Sequence, residues 1–151
     1  VSSKRVQQLL AEKGARGGEV WSVGPDDSVF RALEVMAERN VGALVVLDGG
    51  RLVGVLSERD YARRVILRGL ASRDVRVRDL MTPEVVTVGL DDTVGGCMRR
   101  MTAGRFRHLP VVDGGRVVGV VSIGDVVATI MADQAFEIEQ LQGYIAGTTG
   151  A

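Results

Sequence analysis

Leu44 to Asp60 reads LVVLDGGRLVGVLSERD, and Leu109 to Asp125 reads LPVVDGGRVVGVVSIGD, sixty-five residues later. Each stretch holds two β-rich runs, Ala43 to Leu47 and Arg51 to Leu56 in the first copy. Asp-Gly-Gly joins the runs, and these residues accept the positive φ of a tight hairpin turn. Each stretch then closes on Gly-x-x-Ser-x-x-Asp, where a strand runs directly into a helix start. Carried backwards, the same offset pairs Val20, Val23, Gly24, Asp26, Asp27 and Val29 with Val85, Val88, Gly89, Asp91, Asp92 and Val94. An internal duplication of this kind puts function where the two similar halves meet.

Working outward, each half opens with a short β run, Val20 to Val23 or Val85 to Val88. A polar turn follows, Asp26-Asp27-Ser28 or Asp91-Asp92-Thr93, suited to cap a helix. Val29, Leu33, Met36 and Ala37 then recur at helical spacing with Arg31, Glu34 and Glu38 on the other side. After the hairpin a second helix begins near Ser57 or Ser122, so each half is β-α-β-β-α. An N-terminal helix is expected from Ser3 to Lys13, closed by Gly14, and a C-terminal one from Val126 to Ile145. Residues 69–78 form a short charged joint, which predicts that the two sheets pack as one unit. The tail, Gly147 to Ala151, is expected to be disordered.

Composition narrows the classes of function. With 46% hydrophobic and 25% charged residues, the 151-residue chain is an ordinary globular protein able to bury a core. Nineteen basic residues balance nineteen acidic ones, which leaves no overall field for nucleic acid or an anionic membrane. No run reaches the roughly eighteen apolar residues of a membrane span, and no signal-peptide pattern is present, so a cytoplasmic location is expected. Cys97 is the single cysteine and sits among Val94, Met98 and Met101 at helical spacing, the setting of a small buried side chain.

The doubled Ser-x-x-Asp admits two readings. As a capping box, the serine hydroxyl accepts from the third helical amide and the carboxylate reaches back to the cap amide. As a ligand site, the helix start and serine take phosphate while the carboxylate accepts from ribose hydroxyls. Ser57 and Ser122 would then meet phosphate, and Asp60 and Asp125 ribose. The two readings can hold at once.

The tandem β-α-β-β-α order, the doubled Gly-h-h-Ser-x-x-Asp, Met81-Thr82-Pro83 before the second repeat and Arg107-His108-Leu109-Pro110-Val111 together resemble a paired cystathionine-β-synthase (CBS) domain protein. The resemblance spans about residues 15–135 and is closest to the members made of this Bateman module and little else. It implies a mixed α/β (α+β) fold in which two CBS repeats pack about a pseudo-two-fold axis with flanking helices. The corresponding division is 1–14 N-terminal helix, 15–72 first repeat, 79–135 second repeat and 136–151 helix end and tail. It further implies a regulatory module that binds AMP, ADP, ATP, NAD(H) or S-adenosylmethionine in the clefts between repeats and signals to a protein partner.

Carried over by position, Asp60 and Asp125 hold ribose, and Ser57, Arg59, Arg107, His108 and Ser122 meet phosphate. The adenine slots take Val20, Trp21, Val23, Ala43 and Leu44 in one repeat, and Val85, Val86, Val88, Phe106, Leu109 and Pro110 in the other. Gly42 and Ala43 stand where the second repeat has Arg107 and His108, so anion binding is expected first at the Asp125 cleft, with Arg107 as its cation.

Other residues have plainer readings beside functional ones. His108, the sole histidine, lacks the companions of a zinc site. Trp21 is either a base-stacking ring or a surface aromatic. Arg59, Arg63, Arg64 and Arg68 read as a solvated helix face, the alternative being a phosphate track. No catalytic triad, Walker loop or dinucleotide fingerprint is present, so neither catalysis nor a metal is expected. A ligand-free scaffold and a small nucleotide hydrolase are the competing hypotheses. Ile130, Phe136, Ile138, Leu141, Tyr144 and Ile145 predict a homodimer through helical faces.

Overall fold

A computed structural model describes residues 3–14 and 18–149, with side chains described as far as 144. The hairpins form where the Asp-Gly-Gly turns predict them. Strand β2 (Ala43–Asp48) pairs antiparallel with β3 (Arg51–Ser57), and β4 (His108–Asp113) with β5 (Arg116–Ser122). Gly49 and Gly50 turn at φ 56° and 83°, and Gly114 and Gly115 at 57° and 78°. The duplication extends to irregularities: both hairpins carry a bulge at the same place, between Val46 and Leu47 and between Val111 and Val112.

The first strands are shorter than expected. β1 is only Ser22–Val23, parallel to β2, and its counterpart shrinks to a single parallel bridge between Val88 and Val111. Helix α2 (Val29–Arg39) starts at Ser28, whose hydroxyl accepts from the Arg31 amide at 3.0 Å; α5 (Val94–Gly104) starts at Thr93, which accepts from Gly96. The buried face of α2 is Val29, Ala32, Val35 and Met36, so Ala37 is exposed and Leu33 only partly covered. Helix α3 (Glu58–Tyr61) continues into a π-helical turn, Ala62–Ile66. Helix α6 (Ile123–Thr149) is unbroken, so the expected disorder does not begin at Gly147. Glycine lowers helix propensity without blocking the backbone as proline does. Gly150 and Ala151 lie outside the described residues.

Each repeat has its own core, and each core is completed by the segment that precedes the other repeat. Helix α1 (Val6–Glu12) inserts Val6, Leu9 and Leu10 among Val94, Cys97, Leu109 and Val126 of the second repeat. Helix α4 (Val77–Leu80) inserts Val77 and Leu80 among Val29, Leu44 and Leu56 of the first. The docking bonds match: the Val6 amide donates to Asp92 O at 2.8 Å, and the Val77 amide to Asp27 O at 2.9 Å. Cys97 is fully buried, as its helical neighbours predict, and burial pushes its thiol pKa up.

The linker also serves the first sheet. Thr82 of Met-Thr-Pro pairs with Val55 along the outer edge of β3, with bonds of 3.1 and 2.9 Å. Gly54 permits this approach, because a Cβ there would lie 2.5 Å from Met81 Sδ and 3.0 Å from the Thr82 carbonyl.

Candidate functional site

Both Ser-x-x-Asp segments form capping boxes. The Asp60 amide donates to Ser57 Oγ at 3.1 Å and the Ser57 amide to Asp60 Oδ2 at 3.2 Å; the same bonds at Ser122 and Asp125 are 3.2 and 2.9 Å. Ser57 Oγ also donates to Asp60 Oδ2. The first helical amides are taken as well, Glu58 by the Gly42 carbonyl and Ile123 by that of Arg107. Three of the amides at each helix start are therefore committed, and an anion there depends on side chains. Each carboxylate uses Oδ2 for its cap, while Oδ1 makes no hydrogen bond among the described residues. The cap thus fixes the carboxylate and leaves one oxygen able to accept from a ligand hydroxyl.

Two clefts lie between the repeats, and each combines the carboxylate of one repeat with strand-leading residues of the other. A cavity of about 710 Å³ brings Ser122 and Asp125 together with Trp21 and Val41–Ala43. A second, of about 450 Å³, joins Ser57 and Asp60 to Val85, Val86, Phe106 and Arg107. Gly42 and His108 line both and form the partition. A Cβ on Gly42 would sit 3.8 Å from the His108 ring. Each cleft has one aromatic wall, Trp21 in the first and Phe106 in the second.

Several expectations are corrected. Arg107, predicted as the cation of the Asp125 cleft, lines the Asp60 cleft, because the crossed arrangement sends each strand-leading segment to the other repeat's carboxylate. Arg59, Arg63 and Arg64 line that cleft too and are not only a solvated face; Arg68 does not line it. Val23, Leu44, Val88, Leu109 and Pro110 are buried in the sheets, and with Val20 they line neither cavity. Strands β2 and β4 are covered on both faces over three consecutive residues, so Leu44 and Leu109 enter the cores while Pro110, on the opposite face of its strand, is buried as well. Trp21 packs partly on the first core, with the Arg39 guanidinium 4.1 Å from its ring centre.

Lys13 was not foreseen in the site. Its Nζ lies 3.0 Å from Asp125 Oδ2 and 3.3 Å from the Val120 carbonyl, so the Asp125 cleft supplies its own cation. Sequence carried no signal for this, because Lys13 arrives only through the docking of α1 on the second repeat. Burial holds the His108 pKa below its ordinary 6.5, against the pull of Asp125 and with the help of Arg107 and Lys13. Among the described residues no cluster of three or more metal-ligating side chains exists, and no helix is long and apolar enough to cross a membrane.

The CBS-domain family model matches residues 18–67 and 77–132. The chain is 38% identical over 152 residues to the mitochondrial CBS domain-containing protein CBSX3 of Arabidopsis thaliana, covering 96% of this chain and 73% of that one. A CBS-domain protein from Burkholderia ambifaria MC40-6 superposes with a TM-score of 0.83 at 43% identity, covering 87% of this chain and 96% of the other. The CBS domain pair of protein MJ0100, solved with 5′-methylthioadenosine and S-adenosyl-L-methionine, shares the fold at a TM-score of 0.74 and 23% identity, over 86% and 98% of the two chains. With two repeats matched by the family model, a relative 38% identical over 96% of this chain and solved CBS-domain structures of the same fold, this chain belongs to the CBS-domain family.

Proposed function

We propose that this protein is a non-catalytic regulatory module that binds an adenosine-containing ligand in the clefts between its repeats and so changes the surface offered to a protein partner. The observation that carries this reading is the crossed construction of both clefts. A ligand held by Asp60 or Asp125 and by the facing strand residues touches both repeats, and its affinity depends on their relative placement. Occupancy of the MJ0100 pair by two adenosine compounds supports the same ligand class here.

In this reading Asp60 and Asp125 accept from ribose hydroxyls through Oδ1, and Trp21 and Phe106 flank the base. Ser57 and Ser122 act chiefly as caps. The reading includes a homodimer through α6, supported by the exposure of Met131, Ile138 and Leu141, and a cytoplasmic location, to be tested by fractionation against the mitochondrial placement of the CBSX3 relative.

A melting panel on nucleotide-stripped protein with AMP, ADP, ATP, NAD, NADH and S-adenosylmethionine tests the proposal. A ligand at about a hundred times its Kd stabilises by about 2.7 kcal/mol. A selective rise in Tm, reduced by Asp60→Ala or Asp125→Ala, is expected. No response to any compound would leave the capping boxes as purely structural and favour the scaffold reading. Turnover of ATP with magnesium would contradict the absence of catalysis.

A further inference from the structure

The two clefts differ far more in charge than in backbone. The Asp60 cleft sets five arginines, Arg59, Arg63, Arg64, Arg105 and Arg107, against three carboxylates. In the Asp125 cleft only Lys13 and Arg39 face three carboxylates, and both cations are engaged, Lys13 by Asp125 and Arg39 by the Trp21 ring. Of the five arginines, Arg64 donates to the Leu80 carbonyl at 2.9 Å. The guanidinium groups of Arg59, Arg63, Arg105 and Arg107 make no ion pair or hydrogen bond among the described residues.

Two local features of the backbone bring these cations together. The π-helical turn Ala62–Ile66 brings both Arg63 and Arg64 to the cleft that Arg59 already lines. The positions equivalent to Arg59, Arg63 and Arg64 in the second repeat are Gly124, Ala128 and Thr129. Arg105 ends α5 in the left-handed region at φ 57°, where the first repeat has Asn40 at φ 53°. Asparagine tolerates that conformation and arginine does not favour it. Residues held against backbone preference cluster where a ligand is bound.

We propose that the Asp60 cleft is the polyphosphate site of the module, with Arg105 a specificity-determining contact to the ligand's phosphates. This rests on the adenosine reading above and narrows it: affinity at this cleft is set by the number of phosphates.

Calorimetric titration of the full chain with adenosine, AMP, ATP and inorganic tripolyphosphate tests it. Charge-assisted bonds to arginine predict ATP binding at least about tenfold tighter than AMP, with the gap narrowing as salt rises. Arg105→Asn is expected to weaken ATP and tripolyphosphate about tenfold, to leave adenosine nearly unchanged, and to keep or raise Tm. Arg63→Gln should act in the same direction, while Arg116→Gln at the exposed β4–β5 turn should leave all affinities as they are. Equal affinity for AMP and ATP, indifferent to Arg105→Asn, would overturn the proposal while leaving an adenosine sensor intact. Loss of ATP binding in Asp125→Ala but not in Asp60→Ala would overturn it as well. Arginine-dependent tripolyphosphate binding with no response to any adenosine compound would support the anion site and sink the adenosine reading.

Discussion

His108 sits on the partition between the clefts, and its lowered pKa has a definite consequence for pH. The unfolded chain holds a proton on this ring up to about 6.5, whereas the folded protein releases it at lower pH because burial penalises the charged form. Stability from this residue is therefore present above 6.5 and declines as pH falls from there through the folded value. Denaturant titrations at stepped pH should show that decline, and His108→Asn should flatten it. Gly54 makes a second prediction. A Cβ there meets Met81 and the Thr82 backbone, so Gly54→Ala should cost about 1–3 kcal/mol by overpacking. An unchanged midpoint would mean that the linker lifts freely from β3. The fixed carboxylates illustrate what sequence could show at this scale. Ser-x-x-Asp spacing revealed both the cap and the candidate ligand group, but not that Oδ2 serves one and Oδ1 is left for the other.

Among the elements, α1 was read as a flanking helix from Ser3 to Lys13, and its presence and closing Gly14 were legible, although the helix itself is the shorter Val6–Glu12. Its attachment was not, because the residues it contacts lie some ninety positions away in Asp92 and Val94. Leu9 is 3% exposed within the second repeat's core. Leu9→Ala should accordingly cost about 2–5 kcal/mol, a loss far above that of a solvated helix, measurable by urea unfolding. The caps of α2 and α5 are the milder comparison: Ser28→Ala or Thr93→Ala should each cost about 1 kcal/mol. The joint, 69–78, was legible as short, and it holds the start of α4, whose packing mirrors that of α1.

At the scale of the whole molecule, the swapped segments make each repeat depend on chain that leads into the other. Under the proposed function, a ligand that shifts the repeats would thereby be coupled to α1, since Lys13 at its end reaches Asp125. Outside this body, Met131, Ile138 and Leu141 on α6 are 63%, 55% and 63% exposed. Patches of this kind mark interaction surfaces, and light scattering at tens of micromolar protein should return a dimer mass. Ile138→Glu with Leu141→Glu should return a monomer whose nucleotide response persists. A monomer mass for the unaltered chain would count against the dimer. The side chain of Ile145, also predicted for this face, lies outside the described residues.

The sequence by itself determined the local and repeated features. Hairpins, caps and helix order depend on residues within a few positions of one another, and an offset of sixty-five doubled each of these signals. Only the tertiary structure decided which face of one repeat meets which residue of the other. That choice sends Arg107 to Asp60 and brings Lys13 to Asp125. It depends on long-range packing of α1 and α4 into opposite cores, and such contacts leave no periodicity in the chain that makes them.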